Sequence, residues 1–413
     1  MGATLLVTLT GPDHPGVSAA LFAAVREDDL VILDVEQVVV RGHLTLAVLL
    51  EAGEHPDQTA ADLARAGAAM GMQVSCRTGF GDNAPRRRGR LHVTVLGAPL
   101  RPRGMQAVAE AIAEHGGNID RIRRISRWPV TTVEIDVSGA EVSVLRRGLS
   151  ALAAAHRLDI AVAPAGLARR GRRLVVLDVD STLIQDEVIE LIAAHAGRAA
   201  QVAAVTDRAM RGELDFAASL HERVALLAGL PTSVLEQVRE QVRLTPGART
   251  LVRTLQRLGF TVALVSGGFA EIVRPLADLL AIEHIAANSL EVLDGHLTGR
   301  VLGAVLDRAG KAAALRRFAA AEGVPLSRTI AIGDGANDLD MLDAAGLGIA
   351  FNAKPVVREQ ADTSVTVPYL DAVLYLLGIP REEVEDADAA DGLPDVRAGS
   401  APRERSAPRE PGP

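Results

Sequence analysis

Asp178 and Asp180 stand one residue apart, directly after the apolar run Leu174-Val175-Val176-Leu177. Two carboxylates on a buried strand are costly to desolvate unless something offsets their charge. At the carboxyl edge of a parallel sheet, where open α/β folds bind ligands, they become useful. A loop there can turn both toward one point, where a hard cation and a phosphate can meet them. Taken alone, Asp-x-Asp reads equally well as an acidic turn or a helix cap. Three further segments change the balance. Thr329-Ile330-Ala331-Ile332 runs into Gly333-Asp334-Gly335-Ala336-Asn337-Asp338, which places Asp334 at the same kind of edge beside glycines that let a ligand approach the backbone. Val262-Ala263-Leu264-Val265 ends in Ser266-Gly267-Gly268, whose hydroxyl and bare N–H groups suit phosphate oxygens. Lys311 opens a helical segment about one βα unit before Asp334.

The elements around these residues predict an α/β fold. From 172 onward strands and helices alternate, which implies a parallel sheet covered on both faces. Core strands are expected at 173–178, 261–265, 329–333 and 347–350. A mostly helical insert spans roughly 188–245, and a β-hairpin turns at Asp294-Gly295. The first 165 residues read differently. Strands at 3–9, 30–40, 43–51 and 73–77, with helices at 17–27 and 57–70, follow the order βαββαβ. After a Gly/Pro/Arg-rich stretch at 78–90 the same order recurs, with strands at 90–97, 118–126, 130–137 and 158–163. Two copies of a ferredoxin-like module are therefore expected. This duplication resembles tandem ACT domains, small regulatory modules that often bind amino acids; a plain ferredoxin-like scaffold used for dimerisation is the alternative. The boundaries drawn are 1–80 and 88–165 for the two modules, 172–380 for the α/β domain, and 381–413 for a tail rich in Pro, Glu, Arg, Asp and Ala, expected to be disordered.

The order Asp/Asp, Ser/Gly, Lys, Asp/Asn/Asp over about residues 172–370 resembles the four-motif signature of the haloacid dehalogenase superfamily. The resemblance implies a Rossmann-like core with a helical cap and phosphoryl transfer to Asp178. It implies Asp180 as the acid and then the base. By the same resemblance Mg²⁺ is expected on Asp178, the backbone carbonyl of Asp180 and Asp334, with Asp338 supporting the metal site. Lys311, Ser266, Gly267 and Asn337 hold the substrate, the first two offsetting phosphoryl charge. Two stretches, Asp178-Val-Asp-Ser-Thr-Leu-Ile-Gln-Asp-Glu187-Val-Ile-Glu and Arg208-Ala-Met-Arg-Gly-Glu-Leu-Asp-Phe216-Ala-Ala-Ser-Leu-His-Glu-Arg223-Val, are similar to the phosphoserine phosphatase family. By that resemblance Glu187 faces a substrate ammonium and Arg223 clamps its carboxylate, with Met210 closing over them. An amino-acid zwitterion needs one anion and one planar cation of this kind. In isolation Glu187 and Arg223 would read as ordinary helix charges. Rival functions are a phosphatase for phosphothreonine, phosphohomoserine or a sugar phosphate, and a non-enzymatic amino-acid sensor.

Composition bounds the setting. Net charge is −8, which argues against a nucleic-acid or anionic-membrane surface. The arginine clusters at 86–88 and 169–173 fall at module joints and read as solvated linkers. One cysteine, Cys76, excludes an intramolecular disulfide framework and fits a cytoplasmic setting. No run of about 20 apolar residues spans a membrane, and the N-terminus lacks a signal-peptide pattern. The expected partners are phosphoserine, an amino-acid effector at the ACT-like modules and a second copy in a dimer. Among 44 basic residues only Lys311 and Lys354 are lysine. Lys311 therefore reads as a position where arginine does not work, whereas Lys354, after the last expected core strand, receives no role.

Overall fold

The computed structural model describes residues 2–25, 30–81, 89–127, 129–166, 171, 173–211 and 213–393, apart from the side chain of Met210. The arginine cluster at 86–88, most of that at 169–173 and the proposed closure by Met210 lie outside the described residues. The chain divides into two compact units, Met1–Arg87 and Arg88–Pro413.

The first unit contains strands β1 (Ala3–Pro12), β2 (Ile32–Val40), β3 (His43–Glu51) and β4 (Gln73–Phe80), with helices Val17–Ala23 and Pro56–Ala69 in the order βαββαβ. Its antiparallel sheet runs β2-β3-β1-β4. Leu5, Val7 and Leu9 alternate inward on β1 and meet Leu44, Leu46, Val48 and Leu50 of β3, the period of two that a half-buried strand requires. Arg41 and Gly42 both take positive φ (53° and 74°), the primed turn that matches strand twist in a two-residue hairpin. β2 forms one edge, and its Ile32, Val35, Val38 and Val40 are each about half exposed or more.

The second unit opens with the same module: β5 (Leu91–Gly97), β6 (Asn118–Ser126), β7 (Thr131–Ser138) and β8 (Asp159–Pro164), in sheet order β6-β7-β5-β8. One end of its outer sheet face is apolar. There Leu96, Ile125, Val130 and Ala161 share a core with Tyr375, Leu376 and Val384 of the following domain. Asp159 binds Ser364 Oγ (3.0 Å) and the Thr366 N–H (2.9 Å), and Thr363 Oγ1 donates to the Ile160 carbonyl (2.8 Å).

That domain carries β9 (Leu174–Leu177), β10 (Thr261–Phe269), β11 (His284–Leu293), β12 (His296–Leu302), β13 (Thr329–Gly333), β14 (Leu347–Phe351) and β15 (Thr363–Val365). The sheet order is β12-β11-β10-β9-β13-β14-β15. All neighbours are parallel except β11 and β12. All four residues of β9 are fully buried, which explains an unbroken apolar run where an exposed strand would alternate. The predicted hairpin is the free half of a longer strand: 284–288 of β11 first pair in parallel with β10. β15 is three residues long and carries no periodic signal, so sequence patterning missed it. The insert folds as helices Val188–His195, Ala199–Met210, Phe216–Ala225 and Ser233–Gln241.

The expectation of disorder from residue 381 needs correction. Arg381–Ala390 is a helix with Arg381, Val384 and Asp388 buried. Its low apolar content is offset by partners distant in sequence. Arg381 pairs with Asp371 (3.0 Å), and Asp388 with Arg253 and Arg257 (2.5 Å each). Local composition cannot show such partners. Residues 394–413 lie outside the described residues. Arg381→Ala leaves the Asp371 carboxylate buried without its cation and is expected to destabilise this unit by about 3 kcal/mol or more, measured by urea unfolding.

Candidate active site

Each motif reaches the site because a strand of the central sheet ends there. β9 lies between β10 and β13, so Asp178, Ser266 and Asp334 leave the same edge. Beyond Leu177 the chain turns through Val179–Leu183, with Ser181 at φ 57°, a left-handed conformation that strains a non-glycine residue. Ser181 Oγ donates to Glu187 Oε1 at 2.8 Å. This turn separates the two carboxylates. Asp178 points to the floor, where the Lys311 ammonium donates to it at 2.6 Å and to Asp338 at 2.7 Å. Asp180 instead accepts from the Val188 N–H (2.9 Å) and from Ser266 Oγ (3.0 Å).

Lys311 is 1% exposed, on the helix Arg308–Ala321 that Asp307 caps through the Gly310 N–H. Burial by itself would lower its pKa, but the Asp178 and Asp338 carboxylates outweigh burial and hold it charged above its ordinary range. Asp180 is raised, first by burial, against the bonds from Val188 and Ser266. Burial and then Asp338 push Asp334 up to about 6. Glu187 presents open surface to the cavity yet is walled in on several sides. That enclosure, then the Asp180 carboxylate, pushes it up to about 7.

Above this floor is a cavity of about 540 Å³. Asp178, Asp180 and Asp334 line its base, and Glu187 and Arg223 line the wall supplied by the insert. Phe216 and Arg223, seven residues apart, share one face of the helix Phe216–Ala225, and both line the cavity. Arg223 is half-buried, its Nε donates to the Ser219 carbonyl (3.2 Å), and burial lowers its pKa against the pull of Glu187. Gly267 and Asn337 also line the cavity. Ser266 does not: it is fully buried, and its hydroxyl sits between Asp180 and the Gly268 N–H (2.8 Å). Gly268 has no room for a side chain, since a Cβ there would lie 2.7 Å from Asp180 Oδ2. Lys354 lines the cavity too, a position for which sequence reasoning found no role; its rarity as a lysine was the available signal.

Carboxylate oxygens of Asp178, Asp334 and Asp338 lie within 4.8 Å of one another, a hard-oxygen donor set that fits a divalent cation. Asp338 is otherwise held by Lys311 and the Gly335 N–H (3.0 Å), which leaves Asp178 and Asp334 facing the cavity.

Comparison with known proteins agrees with this geometry. A haloacid dehalogenase-like hydrolase profile matches residues 175–343, and ACT domain profiles match 3–77 and 91–163. The chain is 58% identical over 397 residues to a phosphoserine phosphatase of Streptomyces coelicolor, covering 95% of this chain and 96% of that one. The chain belongs to the phosphoserine phosphatase family. A second member, from Mycobacterium tuberculosis, is 52% identical over 94% of this chain and 96% of its own length. Among solved structures, a probable phosphoserine phosphatase from Vibrio cholerae superposes with a TM-score of 0.56 at 35% identity, over 76% of this chain and 91% of that one. The haloacid dehalogenase phosphatases are metal-dependent, in keeping with the acidic floor.

The Lys311 geometry yields a test. An ammonium reaches two carboxylates from one buried point, whereas a guanidinium is a broad planar fork that would crowd Asp178. Catalytic positioning is sensitive to about 1 Å, so Lys311→Arg is expected to lower kcat at least about 100-fold with the fold retained, measured as phosphate release beside circular dichroism.

Proposed function

We propose that this protein hydrolyses O-phospho-L-serine to L-serine and phosphate, the last step of serine biosynthesis, in the cytoplasm. The observation that carries the reading is the cavity itself. A nucleophilic carboxylate lies at its base, and Glu187 and Arg223 on its wall suit the ammonium and carboxylate of an amino acid. Family membership supports the same substrate.

An Asp178 oxygen forms a bond to phosphorus as the bond from phosphorus to the seryl oxygen breaks, and Asp180 gives its proton to that oxygen. A raised Asp180 pKa favours the protonated form that this step needs. Asp180 then takes a proton from water, which attacks the aspartyl phosphate, releases phosphate and restores Asp178. Lys311 offsets charge on Asp178 and the phosphoryl oxygens. Gly267 and Asn337 border the phosphoryl group, with Ser266 fixing Asp180 from beneath. Mg²⁺ bound by Asp178, the Asp180 carbonyl and Asp334, with Asp338 buttressing through Lys311, supplies further charge neutralisation.

The two βαββαβ modules are read as regulatory, about 1–80 and 88–165, with the phosphatase domain at about 172–380. Their match to ACT domains supports an amino-acid effector. The exposed valines of β2 support self-association into a dimer. Among the described residues no helix is long and apolar enough to cross a membrane.

Asp178→Asn removes the attacking charge and is expected to lower turnover at least about 10³-fold while phosphoserine binding partly survives. Phosphate release with Mg²⁺, beside calorimetric binding, checks both; retained turnover with phosphate trapped on another residue would refute the assignment. Arg223→Ala should cost about 2–5 kcal/mol on phosphoserine and much less on phosphoethanolamine, which lacks the carboxylate. Kinetics on both esters, with phosphothreonine as a third, measure the difference; equal losses would make Arg223 structural.

A further inference from the structure

The loop after β14 leaves the sheet beside the loop after β13, since the two strands are parallel neighbours with Gly333 opposite Ala350. That loop carries Lys354. Its backbone is held by contacts: Asn352 takes φ 45° and donates its N–H to the Val365 carbonyl (2.8 Å), Ala353 is buried, and Pro355 begins the next helix. Lys354 lines the same cavity as Asp178 and Asp334. Its ammonium makes no ion pair or hydrogen bond with any described residue. Arg308, another cation of the lining, is already bound to Asp340 through Nε at 2.6 Å. Arg223 and Lys354 are therefore the lining cations without an ion pair among the described residues.

Composition points the same way. The chain uses arginine for all but two of its 44 basic residues, and both lysines stand at this one site, Lys311 beneath the floor and Lys354 at the lining. The site chemistry supplies a reason. The Arg308 guanidinium at the same lining is already taken by a carboxylate, that of Asp340. An ammonium on a four-carbon stem is a point charge that can follow an anion without being locked by such a pair.

We propose that Lys354 is a phosphate-binding residue of this site, which captures the phosphoryl group of the incoming ester and holds the departing phosphate. Arg223 serves the other end of the same molecule. The inference rests on the phosphoserine reading above and adds to it a residue that contacts the substrate.

The test uses the full chain with Mg²⁺ and the two products as inhibitors. Lys354→Met is expected to weaken inhibition by inorganic phosphate at least about 10-fold and to raise KM for phosphoserine similarly, with kcat changed less. Inhibition by L-serine should stay within about twofold, because Lys354 serves the phosphate end alone. Arg223→Ala should give the mirror image, weakening L-serine far more than phosphate. An unchanged phosphate constant in Lys354→Met would overturn the proposal, as would equal shifts for both products. Should the native protein release no phosphate from phosphoserine, the functional reading fails. Calorimetry of inorganic phosphate binding to the native protein and to Lys354→Met then still decides the role of the lysine.

Discussion

The Lys311 ammonium between Asp178 and Asp338 is the contact on which the rest of the site depends. Two carboxylates at a dry sheet edge repel each other and lose hydration, and one buried cation 2.6 and 2.7 Å away offsets both penalties. A buried ion triad is poor evidence for stability, because desolvation consumes most of its attraction. Its consequence here is geometric. It ties the end of β9 to the turn after β13 and to the first turn of the helix Arg308–Ala321. Asp178 is thereby tied to two further elements distant in sequence.

Asp180 is held by a separate set of bonds, and the contrast divides labour between two carboxylates two residues apart. The strained turn at Ser181 sends Asp180 away from Lys311, toward Ser266 and the Val188 N–H. One carboxylate faces a cation, whose pull opposes the strong rise in pKa that burial and then Asp338 impose on it. The other faces neutral donors, and burial raises its pKa, which suits proton transfer. The cavity wall is different material: Asp178, Asp180 and Asp334 come from the sheet edge, while Glu187 and Arg223 of the helix Phe216–Ala225 line the wall above them. A cap of this kind can change substrate preference with little effect on the reacting groups.

The two βαββαβ modules show one scaffold used in two ways. In the second, the apolar end of the outer sheet face is buried against the phosphatase domain, and Asp159 binds the strand at the edge of its sheet. In the first, β2 presents half-exposed valines at a sheet edge. The corresponding edge strand of the second module, β6, carries Arg121, Arg123 and Arg124 instead. Duplication has therefore left two surfaces of opposite character on one backbone plan.

Much of this was legible in the residues themselves. The recurring order βαββαβ marked both modules, the Asp294-Gly295 pair marked a hairpin turn, and an unbroken apolar run marked β9 as a buried strand. Asp178, Asp180 and Asp334 could be named because reactive polar groups after apolar runs have no cheap place in a core, and Lys311 by its place one βα unit before Asp334 and by the scarcity of lysine. What the chain could not show locally were the partners. Arg381–Ala390 looked disordered because its stabilising charges, Asp371, Arg253 and Arg257, lie elsewhere in the sequence. β15 is too short to carry a period and exists through pairing with β14. Ser266 looked like a phosphate-holding residue and is found holding Asp180, and Lys354, which received no role, lines the cavity. Sequence determines which groups could react, since that depends on residue type and on local spacing. Which of them meet is decided by sheet order and by the turns beyond each strand, because those bring residues from distant parts of the chain to a single edge.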